Sequence, residues 1–123
     1  MAKYSKISDA EWVVMEAVWA KSPLGADDIV KSLGSSGWNP RTIKTMLNRL
    51  VKKGALTFDA EGKRYLYRPR VSRETCVRTE SRSFLKRIFR GDVGPMLAHF
   101  VEDSKLSAQQ IKQLRELLEK KGR

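Results

Sequence analysis

The segment WNPRTIKTMLNRLVKKG, residues 38–54, constrains the fold of this chain more than any other stretch. Asn39 followed by Pro40 is a strong helix start, because asparagine can cap the first backbone amides and proline loses only a donor that would be unpaired there. Two lysines before Gly54 form a matching helix end, with positive charge in the last turn and a left-handed residue after it. The segment therefore predicts one helix over about residues 39–53.

This predicted helix is sharply divided into an apolar arc and a polar arc when it is drawn on a helical wheel. The apolar arc contains Ile43, Met46, Leu47, Leu50 and Val51. The polar arc contains Arg41, Thr42, Lys44, Thr45, Asn48, Arg49 and Lys52. An α-helix fits the major groove of DNA, where these polar types bind base edges and phosphates. We predict that Arg41, Thr42 and Thr45 contact base edges and that the other four side chains hold phosphates.

Two shorter helices are predicted before this segment. The pattern Ser8 to Glu11 is that of a capping box, and apolar residues then recur at helical spacing over about residues 9–21. Pro and Gly in SPLG end that helix, and a second helix is predicted over about residues 26–33. Three tryptophans, Trp12, Trp19 and Trp38, are interpreted as core residues.

A basic hairpin is predicted after the central helix. Two runs of alternating apolar residues flank DAEG, residues 59–62, which is interpreted as the turn, with Lys63 and Arg64 just past the tip. Three helices followed by a basic hairpin describe a winged helix-turn-helix, and we place this DNA-binding domain at residues 1–71. Arg64 is a candidate for contact with the neighbouring DNA backbone or minor groove.

Residues 72–123 predict three further amphipathic helices, so that the chain is mainly α with a small β wing. Each helix carries one apolar stripe, and together they hold too few apolar residues for a convincing independent core. We therefore predict a helical dimerisation domain in which the stripes close against a second copy. Cys76 lies off the stripe of its helix and is expected to be exposed. The predicted dimer residues are Phe84, Leu85, Ile88, Met96, Leu97, Phe100, Val101, Ile111, Leu114 and Leu118.

The charge of the chain favours a polyanionic partner. Lys and Arg number 25 against 14 acidic residues, for a net charge of +11. Residues 39–70 hold nine basic and two acidic side chains, a local net of +7. Charge alone is more typical of a solvated face, but the cap, the two-faced helix and the following wing favour double-stranded DNA.

Other classes of function find little support in the sequence. No apolar run is long enough for a membrane span. One cysteine and one histidine, Cys76 and His99, cannot build a closed metal site or a disulfide, and a single thiol fits the cytoplasm. No nucleophile motif or Gly-rich phosphate loop is present, so neither an enzyme nor a bound cofactor is expected.

The chain resembles the BlaI/MecI family of penicillinase repressors. The resemblance lies in ISDAEWVVMEAVW, WNPRTIKTMLNRLVKKGAL, the hairpin end YLYRP, and the C-terminal stretches SRSFLKRIFRGDVGPMLAHFVED and LSAQQIKQLRELLEKK. It implies a homodimeric winged-helix transcriptional repressor on dyad-symmetric operators, with the dimer contacts in the helical C-terminal half.

The resemblance also implies release from DNA in response to β-lactams, by a sensor-linked protease that cuts between an asparagine and a phenylalanine. The corresponding pair here is His99 and Phe100, so the phenylalanine matches and the asparagine does not. From the residues alone, Phe100 belongs to the apolar stripe whether or not the bond is cut. A hypothesis of another class remains open, in which the winged helix is a protein-interaction adaptor whose basic face meets acidic proteins.

Overall fold

The computed structural model describes residues 3–123, which form two compact units divided between Arg78 and Thr79. Its mainly helical architecture with one small sheet confirms the predicted fold class. The helices are α1 (Asp9–Ala20), α2 (Ala26–Ser32), α3 (Pro40–Lys52), α4 (Arg73–Phe89), α5 (Val93–Asp103) and α6 (Ala108–Lys121), with a short 3-10 turn at Gly34–Ser36. The strands are β1 (Leu24–Gly25), β2 (Leu56–Glu61) and β3 (Arg64–Pro69). The first turns of α4 belong to the first unit.

The helix ends are set by the side chains that the sequence predicted. The Glu11 amide donates to Ser8 Oγ and the Ser8 amide donates to Glu11 Oε1, which completes the capping box of α1. Asn39 Oδ1 accepts from the Thr42 amide at 2.9 Å and so caps α3. At the other end of α3, Gly54 has φ +85°, the left-handed conformation that favours glycine. The start and end of α3 are therefore determined locally.

The sheet is antiparallel with β3 in its centre, in the order β1-β3-β2. β1 was not predicted; its two residues pair with Leu66 and Tyr67 of β3, far along the chain. The predicted turn at residues 59–62 is wrong, because β2 continues through Glu61, which pairs with Arg64. Lys63 therefore lies in the turn itself, and Arg64 is the first residue of β3.

One face of α3 forms the centre of the first unit's core. Ile43, Leu47 and Leu50 are fully buried, and Met46 is nearly so. Residues of α1, α2 and both hairpin strands complete the core, and the three tryptophans are partly buried against it. The indole of Trp19 also donates to the Val71 carbonyl at 2.9 Å, which ties α1 to the segment after the wing.

Cys76 is fully buried in this core, so the expectation that it is exposed is wrong. The sequence pattern predicts one helix here with a single apolar stripe along its length. The structure shows that its first turns pack on the winged-helix core, while the later turns carry the stripe of the second unit. Cys76 therefore belongs to the core of the first unit and not to the apolar stripe of the later turns.

A partly buried ion pair joins the start of α1 to the end of α3. The Lys53 ammonium donates to Glu11 Oε1 and to the Lys6 carbonyl, and Glu11 is only 2% exposed. Burial raises the pKa of Glu11, but the hydrogen bonds from Lys53 and Ser8 outweigh it, so that the pKa lies below its ordinary value of 4.5. The pair therefore stabilises the orientation of α3 while Glu11 is ionised.

Glu11→Gln is expected to lower the free energy of unfolding at neutral pH by about 1–3 kcal/mol, because the Lys53 ammonium loses its charged acceptor. A folded-state pKa below the ordinary value contributes stability above that value, and this contribution is lost as the pH falls through the folded-state pKa. Urea unfolding at several acidic pH values should therefore show a smaller loss of stability in the variant than in the wild type. Identical pH profiles would contradict a stabilising role for the carboxylate.

The second unit consists of capped helices without a buried interior. Ser107 and Gln110 form a reciprocal capping box for α6, and Asp92 caps α5 by accepting from the Gly94 amide. No side chain of residues 79–123 is fully buried within the single chain. None of the described helices is both long and apolar enough to span a bilayer.

Candidate nucleic-acid interface

The face of α3 opposite the core is polar and accessible along its whole length. All seven residues of the predicted polar arc are exposed: Arg41, Thr42, Lys44, Thr45, Asn48, Arg49 and Lys52. Among the residues that the structure describes, none of the four basic side chains in this arc forms a salt bridge. Their charge is therefore available to an external anion.

The N-terminal half of α3 presents two threonines beside two long cations, Arg41 and Lys44. Thr45 Oγ1 donates to the Arg41 carbonyl one turn earlier at 2.9 Å. Because this bond uses the hydroxyl proton, Thr45 offers a partner its methyl group and a hydroxyl lone pair. A threonine methyl of this kind can contact the methyl group of thymine.

The wing and α3 form the two sides of an open cavity of about 360 Å³, which we call the helix–wing slot. Its lining residues are Ala26, Asp27, Lys44, Asn48, Lys63, Arg64, Tyr65 and Tyr67. Lys44 and Asn48 come from α3, whereas Lys63 and Arg64 come from the hairpin. The structure thus brings four of the predicted site residues together around one slot, and the other five lie elsewhere on α3.

Aromatic and acidic side chains in and beside the slot were not predicted as part of the site. Tyr65 is half-exposed, and its ring lies 4.4 Å from the ring of Phe58 across the hairpin. Tyr67 continues the same face into the core, where burial raises the pKa of its phenol above the ordinary value. In the sequence, the alternation of Tyr65 and Tyr67 with other residues indicates only that they lie in a strand.

Asp27 and Asp28 occupy the first turn of α2, where the helix dipole explains them without any site. Asp27 nevertheless lines the slot, and Asp28 Oδ2 lies 3.4 Å from Arg64 Nη2. The pairing of β1 with β3 brings the start of α2 close to the wing. No local sequence signal indicates that approach.

The second unit carries an exposed apolar surface made of its three helical stripes. Seven of the ten predicted dimer residues are exposed large apolar side chains: Ile88, Leu97, Phe100, Val101, Ile111, Leu114 and Leu118. The other three, Phe84, Leu85 and Met96, are half-buried. An apolar cavity of about 290 Å³ lies between α5 and α6, lined by Val101, Leu106, Ile111, Leu114 and Leu118 together with two polar residues.

The bond between His99 and Phe100 lies in the second half of α5. The Phe100 carbonyl accepts from the Ser104 amide at 3.1 Å, and its ring stacks on Phe84 at 6.0 Å. The His99 imidazole is exposed and lies 3.7 Å from the Asp103 carboxylate. This bond is therefore held in helical geometry. The described part of the chain contains no cluster of His, Cys, Asp and Glu that could hold a metal ion.

A sequence model of the penicillinase repressor family matches residues 7–120 of this chain. The penicillinase repressor of Bacillus licheniformis is 39% identical over 120 residues, which cover 97% of this chain and 94% of that protein. The methicillin resistance regulatory protein MecI of Staphylococcus aureus (strain N315) is 32% identical over 120 residues, covering 97% and 98%.

Two solved structures resemble the chain over about three-fifths of its length. The solution structure of the DNA-binding domain of the repressor BlaI is 42% identical with a TM-score of 0.54, covering 59% of this chain and 90% of that one. The Bacillus licheniformis BlaI monomeric form in complex with the blaP half-operator is 41% identical with a TM-score of 0.52, covering 60% and 92%.

Proposed function

Because the chain belongs to the penicillinase repressor family, we propose that it is a sequence-specific DNA-binding transcriptional repressor that acts as a homodimer on dyad-symmetric operators. The Bacillus licheniformis relative and BlaI are named as repressors, MecI is named as a resistance regulatory protein, and BlaI has been solved in complex with the blaP half-operator. Promoters of β-lactam resistance genes are the targets that these names suggest for this chain.

The observation that carries the proposal is the position of α3. Its apolar face is locked into the core, so the polar face projects from a rigid scaffold at a fixed angle. A helix of this kind, with uncompensated cations beside threonines and an asparagine, suits entry into the major groove. A merely solvated basic face would need neither the threonines nor the accompanying wing.

We assign the contacts by side-chain chemistry. Arg41, Thr42 and Thr45 lie near the start of α3, the part of a recognition helix that meets base edges. Lys44, Asn48, Arg49 and Lys52 hold phosphates along the groove, and Lys63 and Arg64 hold the neighbouring backbone. The protein then reads sequence with three side chains and sets its register with six.

Arg41→Ala and Thr45→Ala are expected to weaken binding to the operator, here the duplex that the protein selects from a randomised library. The loss should be about 1–3 kcal/mol for Arg41 and smaller for Thr45, because only good bidentate pairs reach that range. Fluorescence anisotropy with the operator and with a scrambled duplex should show that the ratio of the two affinities becomes smaller.

Lys52→Ala is the matched comparison, because a phosphate contact carries no sequence information. It should weaken binding to operator and scrambled duplex by about the same factor and lower the salt dependence by about one counterion. Base readout by α3 is wrong if Arg41→Ala and Thr45→Ala bind both duplexes as the parent does.

We assign dimerisation to the exposed stripes of α4, α5 and α6. Apolar side chains that stay accessible along three consecutive helices are costly in water, and a second copy would cover them. A two-fold dimer matches a dyad-symmetric operator, whose half-sites lie about 34–36 Å apart on one face of the duplex. The apolar cavity between α5 and α6 lies within this surface.

We further propose that cleavage between His99 and Phe100 is the route of release. A protease needs an extended substrate, so α5 must first open and lose the bond between the Phe100 carbonyl and the Ser104 amide. The cut would separate Phe100 from Phe84 and remove α6 with its part of the dimer surface. A co-expressed sensor-linked protease should then produce fragments that end at His99, which mass spectrometry would identify.

A further inference from the structure

We propose that Gly25 and Asp28, at the start of α2, are positioning residues that hold the guanidinium of Arg64 at the edge of the helix–wing slot for contact with a DNA phosphate. The inference rests on the proposed duplex binding by α3 and the wing. It adds the start of α2 to α3 and the wing as a third element of the DNA-binding surface, with the role of orienting Arg64.

The first support is the close approach of Arg64 to Gly25. β1 pairs with β3 so that Gly25 lies opposite Leu66, two residues from Arg64. A Cβ atom built on Gly25 would lie 2.5 Å from Nη2, 3.4 Å from Cζ and 3.5 Å from Nε of Arg64. The three nearest heavy atoms thus all belong to the guanidinium, which rests where any other residue would carry its side chain.

The second support is the carboxylate of Asp28, which lies 3.4 Å from Nη2 of the same guanidinium. Both side chains are more than half exposed, so the ion pair alone is weak. Packing over Gly25 and attraction to Asp28 act on one group from two directions. Together they define an orientation that neither contact would define alone.

Orientation matters because arginine binds phosphate through a planar fork of donors. A guanidinium that is already placed loses less conformational entropy when it binds, and this gain is realised as affinity. Lys44 and Asn48 line the slot from α3, so the position of Arg64 sets the spacing between the cations of the wing and those of the helix. A DNA strand must match that spacing.

The test is a double-mutant cycle between Gly25→Ala and Arg64→Ala on the selected operator. Gly25 has φ −74°, which alanine adopts without strain, so the added methyl group acts on Arg64. We expect Gly25→Ala to raise Kd by about three- to tenfold, the cost of one side chain left to be ordered on binding. In the Arg64→Ala background the same change should leave Kd unaltered. Gly34→Ala is the control, since its built Cβ meets no side chain or backbone of a more distant described residue within 4 Å.

A second comparison keeps the inference testable if Gly25→Ala disturbs folding. Asp28→Asn and Asp27→Asn each remove one negative charge from the first turn of α2, but only Asp28 pairs with Arg64. Loss of an acidic group near DNA tightens binding, so Asp27→Asn should lower Kd. Asp28→Asn should lower Kd less or raise it, and the two variants should become equal once Arg64 is alanine.

The inference is overturned if the two asparagine variants behave alike with Arg64 present, or if Gly25→Ala acts equally in both backgrounds. A tighter complex of Gly25→Ala would also overturn it, because Arg64 would then have been held away from DNA. None of these results bears on the proposed function. That function is wrong if Arg41→Ala and Thr45→Ala leave operator binding unchanged.

Discussion

Replacement of Leu114 and Leu118 by glutamate is expected to yield a monomer that binds the operator about 10²–10⁴-fold more weakly than the parent. Both leucines are exposed on α6, and both line the apolar cavity between α5 and α6. Glutamate keeps the helix propensity but brings like charges together across a two-fold interface. Light scattering after size-exclusion chromatography gives the mass, and anisotropy gives Kd on the full operator and on one half-site.

The control replaces Gln109 and Gln113, one turn apart on α6, by glutamate. It makes the same change in net charge on exposed positions outside that cavity. This variant should remain a dimer and bind the operator within a few-fold of the parent. The monomer should bind a half-site as the parent does, because each winged helix is intact. A dimeric Leu114→Glu, Leu118→Glu variant would mean that the interface lies elsewhere.

Leu47→Ala is expected to lower the free energy of unfolding by about 2–5 kcal/mol, a large share of the stability of a small domain. Leu47 is fully buried on the core face of α3, so its truncation leaves a cavity under the recognition helix. Urea unfolding followed by tryptophan fluorescence measures the change, since Trp12, Trp19 and Trp38 pack against the same core. DNA binding should fall only as the folded fraction falls.

Asn48→Ala, one position further along, is the matched comparison. Asn48 is exposed and lines the helix–wing slot, so truncation should change stability by no more than about 0.5 kcal/mol. It should weaken duplex binding while the protein stays fully folded. If both variants lost stability equally, α3 would not have one buried and one free face.

The local features of the fold could be predicted because neighbouring residues encode them. Asn39 and Gly54 bound α3 by capping and by left-handed geometry, and Ser8 with Glu11 starts α1. The same is true of the two faces of α3, since a period of 3.6 residues separates buried from exposed positions. The polar arc could therefore be predicted from the sequence alone, and all seven of its residues are exposed in the structure.

What the sequence did not reveal depends on contacts between distant segments. The two residues of β1 carry no periodicity, and only their pairing with β3 makes them a strand. Cys76 is buried because the first turns of α4 pack on the core of the first unit, although the later turns of the same helix belong to the second unit. Likewise, the ion pair of Glu11 with Lys53 joins residues 42 positions apart, and the approach of Asp28 to Arg64 joins residues 36 positions apart. A helical wheel contains none of this information.

Sequence-specific DNA binding is tested by comparing the affinity of the purified chain for its selected operator with its affinity for a scrambled duplex of equal length and composition. At physiological salt we predict at least about 10³-fold tighter binding to the operator, with affinity for both duplexes falling steeply as salt is raised. Equal affinity for the two duplexes would rule out sequence readout by α3, because its exposed face would then bind DNA, or another polyanion, through charge alone.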